Sequence, residues 1–568
     1  MLAVLTLAGG WTGSVVVPIG PPGGLHWTCD ALSAVFLLIV CIAGAAAALE
    51  CSTPLLPVAV GGMMLTLLAA DGFTLVLCLG LASVAAWGSD PETRPGLEQA
   101  ACSILCLIAA MALLAPPDAA LDLRFAAMRA TAPEGARAAT VLLLTVLGTG
   151  SRLAWPAWSG PAGALLSGGM AMVAIYVLIR VLLDLCGPAV PGWWALPLLV
   201  FGAGATVWGG LRSSAEDDLL AILAASRLGA AGLITVGLGI ALKARDADVP
   251  SLGALALAGA LLHAVSYALF DTLLVLCTAA VARGAGTRAL SRLGGLIRSM
   301  PGVTLSALAG AACLAGLPLT AGFAGRWLLV QSLLAIPQVG GLWQQVGFAV
   351  VLAAVALGAA LTAAGAVRLI GIGFLGRPRT PRAAAAEDAP LRFRMAAAGL
   401  AGLCVLVGVW PSLVLALVRP TLTRLLGVGL EDRLLVIPAQ AAGPGYAAPG
   451  IAAMLALSGG AVAWVAWRLA GRSGRRVPAW DGGLDEPPPW LPFGDPATQY
   501  SAASAGQPLL QSLDYPNWLR PIRLRSLHAR VKATIGRQQH PGAGGLAGAL
   551  LLALVGLLLL GLLLPASR

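Results

Sequence analysis

The chain has 568 residues, 58% of them hydrophobic and only 11% charged, with a formal net charge of +10. A soluble globular chain carries about 25% charged residues. This composition and a mean hydropathy of +0.88 therefore exclude an ordinary soluble domain and predict an all-α, polytopic integral membrane helical bundle; the alternating segments of a β-barrel are not seen.

A transmembrane helix needs about 20 apolar residues to cross about 30 Å of hydrocarbon, and by that measure the chain carries about 13 to 15 transmembrane helices. Residues 1–29 come first, a short apolar segment whose opening, MLAVLTLAGG, lacks the basic region of a signal peptide. Spans follow near 31–49, 53–70, 72–88, 99–116, 138–150, 161–183, 193–211, 219–242, 251–281, 302–336, 343–375, 395–417 and 447–470. Residues 30–470 thus read as one continuous transmembrane domain with short connections. Between 471 and 544 the character changes. A Pro/Gly-rich stretch, RRVPAWDGGLDEPPPWLPFGDPATQY, leads into a basic amphipathic segment in which Leu519, Ile522, Leu527, Val531 and Ile535 alternate with Arg520, Arg523, Arg530 and Lys532. Such a segment lies on a membrane surface or against a partner subunit. A last span, 545–564, closes the chain.

Basic residues gather in loops: Arg283, Arg288, Arg292 and Arg298; Arg377, Arg379, Arg382, Arg392 and Arg394; Arg472, Arg475 and Arg476. An even number of predicted spans separates these clusters, so all three share one face. By the positive-inside rule that face is cytoplasmic, which places the chain in the cell's inner (plasma) membrane and accounts for its charge without nucleic acid. The ten cysteines are scattered without CxxC spacing, and no GxxxxGK[ST] or GxGxxG phosphate loop occurs. No metal, cofactor or active site of the chain's own is expected, and the 72 glycines read as sites of close helix packing.

Two predicted spans look interrupted. The run 302–336 is too long for one straight helix and holds AGLPLTAGFAGRW, with Pro318 and Gly322 at its centre. Proline removes an intrahelical hydrogen bond, and non-helical backbone at membrane depth survives only against protein or a wet cavity. Broken helices of this kind hold ion sites in transporters; a mere kink is the alternative. Pro156–Gly163 is a weaker second case.

Ionisable residues inside the hydrocarbon are costly and mark function by default. The chain offers one such constellation, in LLHAVSYALFDTLLVL (261–276). His263 and Asp271 are eight residues apart, about two turns on one broad face, with Tyr267 four residues from each. A His–Tyr–Asp ladder with water relays a proton, with Arg326 on the broken helix as fixed countercharge to Asp271; an ion pair that locks two helices is the other reading. Arg180, Arg227 and Arg368 fall within or near span ends, where snorkelling or interhelical pairing is usual. Asp30, Asp71 and Asp184, at span ends, are expected to be solvated or to cap helices.

The stretch RALSRLGGLIRSMPGVTLSALAGAACLAGLPLTAGFAGRWLLVQSLL (288–334) resembles the antiporter-like membrane subunits of complex I, the multisubunit Na⁺/H⁺ antiporters and the group-4 membrane hydrogenases. VRLIGIGFLGRPRTPRAAAAEDAPLRFRM (367–395), AWDGG (479–483) and ATQYSAASAGQPL (497–509) look most like hydrogenase-4 component B and the equivalent formate hydrogenlyase subunit, and three earlier stretches match in the same order. The similarity covers roughly 30–510. It implies one or two further helices before Asp30, where this sequence has only a short, broken apolar stretch, which reads as a truncated or misassigned start.

The resemblance also implies a hydrated mid-membrane axis that passes protons through buried lysines, histidines and glutamates. This chain departs from it. The glutamate of the early WE-x-MS motif is Gly80, the lysine of LLSG-x-M-x-K is Met172, and the lysine of DLKRLLAYSS is Leu220, although Asp218 remains. In HAxSHALFK the first histidine stays as His263, the second is Tyr267 and the lysine is Asp271; the glutamate after the broken helix is Arg326, and Arg152 holds a further lysine position. Only Lys243 and Lys532 are lysines, and arginine does not release a proton as a relay must.

Three functional readings follow. In the first, the chain is a membrane-arm subunit of a redox-driven proton-translocating complex of hydrogenase-4 or NADH:quinone oxidoreductase type, working beside other membrane-arm subunits and a peripheral hydrogenase-like or dehydrogenase-like arm. In the second it is a non-conducting scaffold for such an arm. In the third it is an ion or inorganic-carbon transporter module.

Overall fold

The computed structural model describes residues 13–18, 24–50, 54–89, 96–116, 122–130, 133–153, 161–187, 190–335, 341–430 and 446–470, with a few isolated positions besides. The segment 471–544, the last span 545–564, the third arginine cluster and most of Pro156–Gly163 lie outside the described residues. At the start, β1 (Ser14–Val17) pairs antiparallel with β2 (Leu25–Thr28), Val15 facing Trp27.

Helices make up nearly all the rest. In chain order they are α1 (Ala31–Glu50), α2 (Leu55–Leu68), α3 (Gly72–Ser89), α4 (Gly96–Leu114), α5 (Gly135–Leu153), α6 (Pro161–Ile179), α7 (Ala195–Ala215), α8 (Leu219–Asp246), α9 (Pro250–Ala285), α10 (Pro301–Ala315), α11 (Ala321–Ala335), α12 (Leu342–Arg368), α13 (Leu391–Val409), α14 (Pro411–Leu426) and α15 (Ala448–Ala470). Nine helices among the described residues are long and apolar enough to cross a membrane, and α2, part of α4 and α10 are shorter apolar pieces. The chain is a polytopic helical membrane protein, as its composition requires. Helix α9 runs through the centre of the bundle: 36 residues, about 54 Å at 1.5 Å per residue, packed against α1, α6, α8, α10, α11, α13 and α14 and buried along most of its length.

Glycines let the helices close on one another. A β-carbon on Gly202 of α7 would sit 2.7 Å from the Gly232 carbonyl oxygen of α8, so the backbones touch and small residues form the interface. On the outer side, α12 and α13 are 28% buried, and α15 is exposed along most of its span, its start held against the bundle by Ala448 and Ile451.

The interruption at Pro318 is real. Helix α10 ends at Ala315, Gly316 turns the chain left-handed (φ 74°), and α11 restarts at Ala321. Gly322 lies so close to the Cys313 carbonyl that no β-carbon fits there. A break in the run 395–417 was not expected: it is two helices, α13 and α14, hinged at Trp410–Pro411. Pro411 explains it, because a proline at the first helical position starts a helix and disfavours helix in the residue before it; Trp410 is at φ −123°, ψ 65°. The first two arginine clusters do share one end of the bundle: Gly286 lies against Arg382 and Gly294 against Arg377.

Candidate functional site

The polar residues of α9 meet α8 and α6 in mid-bundle. Each turn of α9 is apolar enough to be buried all round, so any polar side chain on it must find a partner on a neighbouring helix. Asp271 finds Arg227 of α8: Nη2 donates to Oδ2 at 2.8 Å and Nε to the same oxygen at 3.3 Å. The remaining Arg227 nitrogen, Nη1, donates to Ser167 Oγ of α6 at 2.7 Å. Tyr267 Oη lies 3.4 Å from Asp271 Oδ1 and 3.0 Å from Ser226 Oγ. Both charged side chains are 6% exposed. The result is a hydrogen-bonded clasp of three helices closed by one ion pair.

His263 is fully buried two turns away, and its Nδ1 and Nε2 bond to none of the described residues. Its ring centroid is 6.2 Å from that of Tyr267. The expected ladder therefore exists from Tyr267 to Asp271 but has no direct hydrogen bond at its histidine end.

Arg326 does not face Asp271. Gly325 packs on the His263 backbone, which sets Arg326 beside the histidine turn, about 12 Å along the axis from Asp271 at 1.5 Å per residue. Arg326 Nη2 instead donates to the Leu314 carbonyl at 2.9 Å, one of the acceptors freed where α10 stops. The expectation that Arg326 neutralises Asp271 is thus corrected: that residue is Arg227, and Arg326 caps the break. Arg227 ends the stretch DLLAILAASR (218–227), where the motif DLKRLLAYSS has serine, and that charge inside an apolar run was the available signal.

Asp218 stands apart from this cluster. It caps α8, accepting from the Leu220 and Ala221 amides at 2.8 and 3.3 Å, and pairs with Arg288 at 3.1 Å. Arg152, buried in α5, donates to Ser103 Oγ at 2.7 Å and Ser83 Oγ at 3.0 Å. Neither joins His263 and Asp271.

A second charged cluster lies at the end of the bundle opposite the arginine-rich loops. Arg180, 2% exposed, contacts Asp30 at 2.8 Å and Asp184 at 2.6 Å; Arg129 pairs with Asp184 at 2.7 Å and Arg424 with Asp30 at 3.0 Å. Asp184 is therefore neither solvated nor a cap, contrary to the sequence reading. Asp30 does cap α1, through the Ser33 amide at 2.9 Å, but is also held by two arginines. Asp71 is the expected cap, accepting from the Thr74 amide at 2.6 Å. Arg368 does not snorkel: it donates to the Ser214 and Glu216 carbonyls at the end of α7.

Residues 155–354 match the family described as NADH:quinone oxidoreductase/Mrp antiporter, transmembrane. The chain is 34% identical over 408 residues to an uncharacterized protein of Mycobacterium tuberculosis, covering 68% of this chain and 61% of that protein. It is 30% identical over 322 residues to hydrogenase-4 component B of Escherichia coli, 55% of this chain and 48% of that one. Less than two thirds of either relative is spanned. Among solved structures, a chain of the membrane-bound sulfane sulfur reductase, an archaeal respiratory membrane complex, superposes with a TM-score of 0.74 at 20% identity, covering 98% of this chain and 92% of that chain. Fold and polar axis thus define an antiporter-like helical bundle. By these comparisons the chain has the fold of, and over residues 155–354 the family match of, antiporter-like membrane subunits of the complex I, Mrp antiporter and group-4 hydrogenase type, to which it is similar.

Proposed function

We propose that this chain serves as a membrane-arm subunit of a multisubunit redox complex in the plasma membrane, and that its mid-membrane axis braces the arm instead of conducting protons. Other membrane-arm subunits and a peripheral hydrogenase-like or dehydrogenase-like arm supply the redox chemistry. The observation that carries this reading is the closed Arg227–Asp271 pair, 2.8 Å apart and buried on both sides. A relay residue must gain and lose a proton in turn; a guanidinium keeps its proton at any physiological pH, and here it occupies one oxygen of the Asp271 carboxylate with two of its N–H groups. Lys243, the single lysine among the described residues, lies at the end of α8, 2.6 Å from Asp246.

The test is proton uptake by proteoliposomes holding the whole complex, with Arg227→Gln and Asp271→Asn combined and, separately, His263→Ala. The expected proton-to-electron ratio equals that of the unmodified complex. A fall in the ratio in either assembled variant overturns the bracing role and restores the relay.

A further inference from the structure

At the end of the bundle opposite the arginine-rich loops, a cavity of about 400 Å³ opens between the tail of α6, the α8–α9 turn and the end of α14. Three arginines from three separate parts of the chain line it: Arg129, Arg245 and Arg424. Their placement is unexpected. If the arginine-rich loops face the cytoplasm, the positive-inside rule expects few basic residues near the opposite leaflet, yet three converge on one hollow.

The charges around the cavity do not cancel. Asp184 and Asp248 also line it, leaving an excess of one positive charge, and the Arg180 and Asp30 that lie behind add one of each sign. The guanidiniums are held in place but not exhausted. Arg129 spends Nε and Nη2 on Asp184; Arg245 spends its two terminal nitrogens on the Gly187, Leu183 and Leu425 carbonyls; Arg424 meets Asp30 through Nη1. A guanidinium has five N–H donors, so each keeps some for a ligand. Because backbone carbonyls and buried carboxylates fix the three groups, little side-chain freedom is lost when a ligand arrives. Leu183, Pro250, Leu425 and Leu426 complete the wall with apolar surface.

We propose that this cavity binds a phosphate-bearing anion of net negative charge. Arginine forks match phosphate oxygens geometrically and bind them more strongly than neutral donors do. The apolar wall beside the arginines suits the glycerol and first acyl carbons of an anionic phospholipid; inorganic phosphate presents the same group without them.

The experiment uses the full-length chain purified in detergent and stripped of lipid. Phosphatidylglycerol, phosphatidylethanolamine or inorganic phosphate is added, and native mass spectrometry and thermal unfolding are read. One equivalent of phosphatidylglycerol is expected to bind and raise Tm while phosphatidylethanolamine, whose ammonium cancels its phosphate, does neither. Arg129→Gln and Arg424→Gln are each expected to weaken binding about tenfold, the loss of one charge-assisted contact. Asp248→Asn removes an exposed lining carboxylate at a positive φ (54°) that asparagine also tolerates, so it folds as the parent does and is expected to bind several-fold more tightly. Displacement of phosphatidylglycerol by inorganic phosphate that itself raises Tm supports the site with the free ion as occupant. Equal retention of both lipids, or an Asp248→Asn variant that binds no tighter, overturns the proposal.

Discussion

The ion pair between Arg227 and Asp271 yields the most discriminating prediction. Both side chains are 6% exposed and sit in the middle of α8 and α9. Asp271→Asn leaves a buried guanidinium, still donating to Ser167, without the carboxylate charge that faced it, and an uncompensated buried charge costs about 3 to 5 kcal/mol. Arg227→Met leaves the carboxylate with Tyr267 at 3.4 Å and a loss of the same order, to which an abandoned Ser167 hydroxyl adds about 1 kcal/mol. Replacing both partners, Arg227→Met with Asp271→Leu, removes the charge altogether, and such exchanges are neutral to stabilising. The double variant is therefore expected within about 1 to 2 kcal/mol of the parent, far less than the two single losses added together. Unfolding in mixed micelles with rising denaturing surfactant, followed by fluorescence of the 16 tryptophans, measures all four proteins. Single losses below about 1 kcal/mol, or a double loss equal to their sum, would refute the clasp, because independent sites are additive.

Arg180→Met leaves Asp30 and Asp184 with one arginine each, Arg424 and Arg129; a loss of about 3 kcal/mol or more is expected in the same titration, and a silent variant would show the network to be slack. Gly325→Ala puts a β-carbon 2.7 Å from the His263 nitrogen and 2.8 Å from its Cα, both backbone atoms that cannot swing aside. A cost of about 1 to 3 kcal/mol follows, and an unchanged Tm would mean that α9 and α11 are not so close. Outside the membrane, the Asp122 carboxyl is held below the usual carboxylate range, chiefly by hydrogen bonds from Arg124. Its contribution is thus complete above the unfolded value near 3.9 and disappears as pH falls through the lower folded value. Since Arg124 is 65% exposed, Asp122→Asn is expected to cost less than about 1 kcal/mol at pH 7 and progressively less as pH falls through the folded value; a gap that widens on acidification contradicts the pairing.

Helix positions were legible because a bilayer imposes one length and one polarity on every span. Pro318 announced the break in 302–336 through its missing N–H, whereas Pro411 passed unnoticed because the apolar run continues unbroken across it. The partner of Asp271 could not be read from periodicity. Spacing along α9 places His263 and Asp271 on one face but leaves open which neighbouring helix meets which turn, and α11 takes the histidine turn while α8 takes the aspartate turn. Arg180 and Asp184, by contrast, are four residues apart on one helix, a spacing that favours pairing on sight. The position of Asp184 at a span end made a solvated role look sufficient; Asp30, 150 residues distant in sequence, carries no such local mark.

Arginine recurs in the buried polar contacts along the axis and at its ends. Arg152 rests on two serines, Arg227 on Asp271 and Ser167, Arg326 on the carbonyl of a broken helix, Arg368 on the carbonyls that end α7. Each of these contacts ties an arginine to a neighbouring helix, although Nη2 of Arg152 bonds to none of the described residues. A lysine at the same place would be easier to desolvate by losing its proton, and that loss is what a relay uses. On the bracing reading proposed above, arginine at these positions stiffens the bundle and forgoes the reversible deprotonation that a lysine relay uses. In that proposed role, such a subunit links its neighbours through guanidiniums, which keep their charge at any physiological pH.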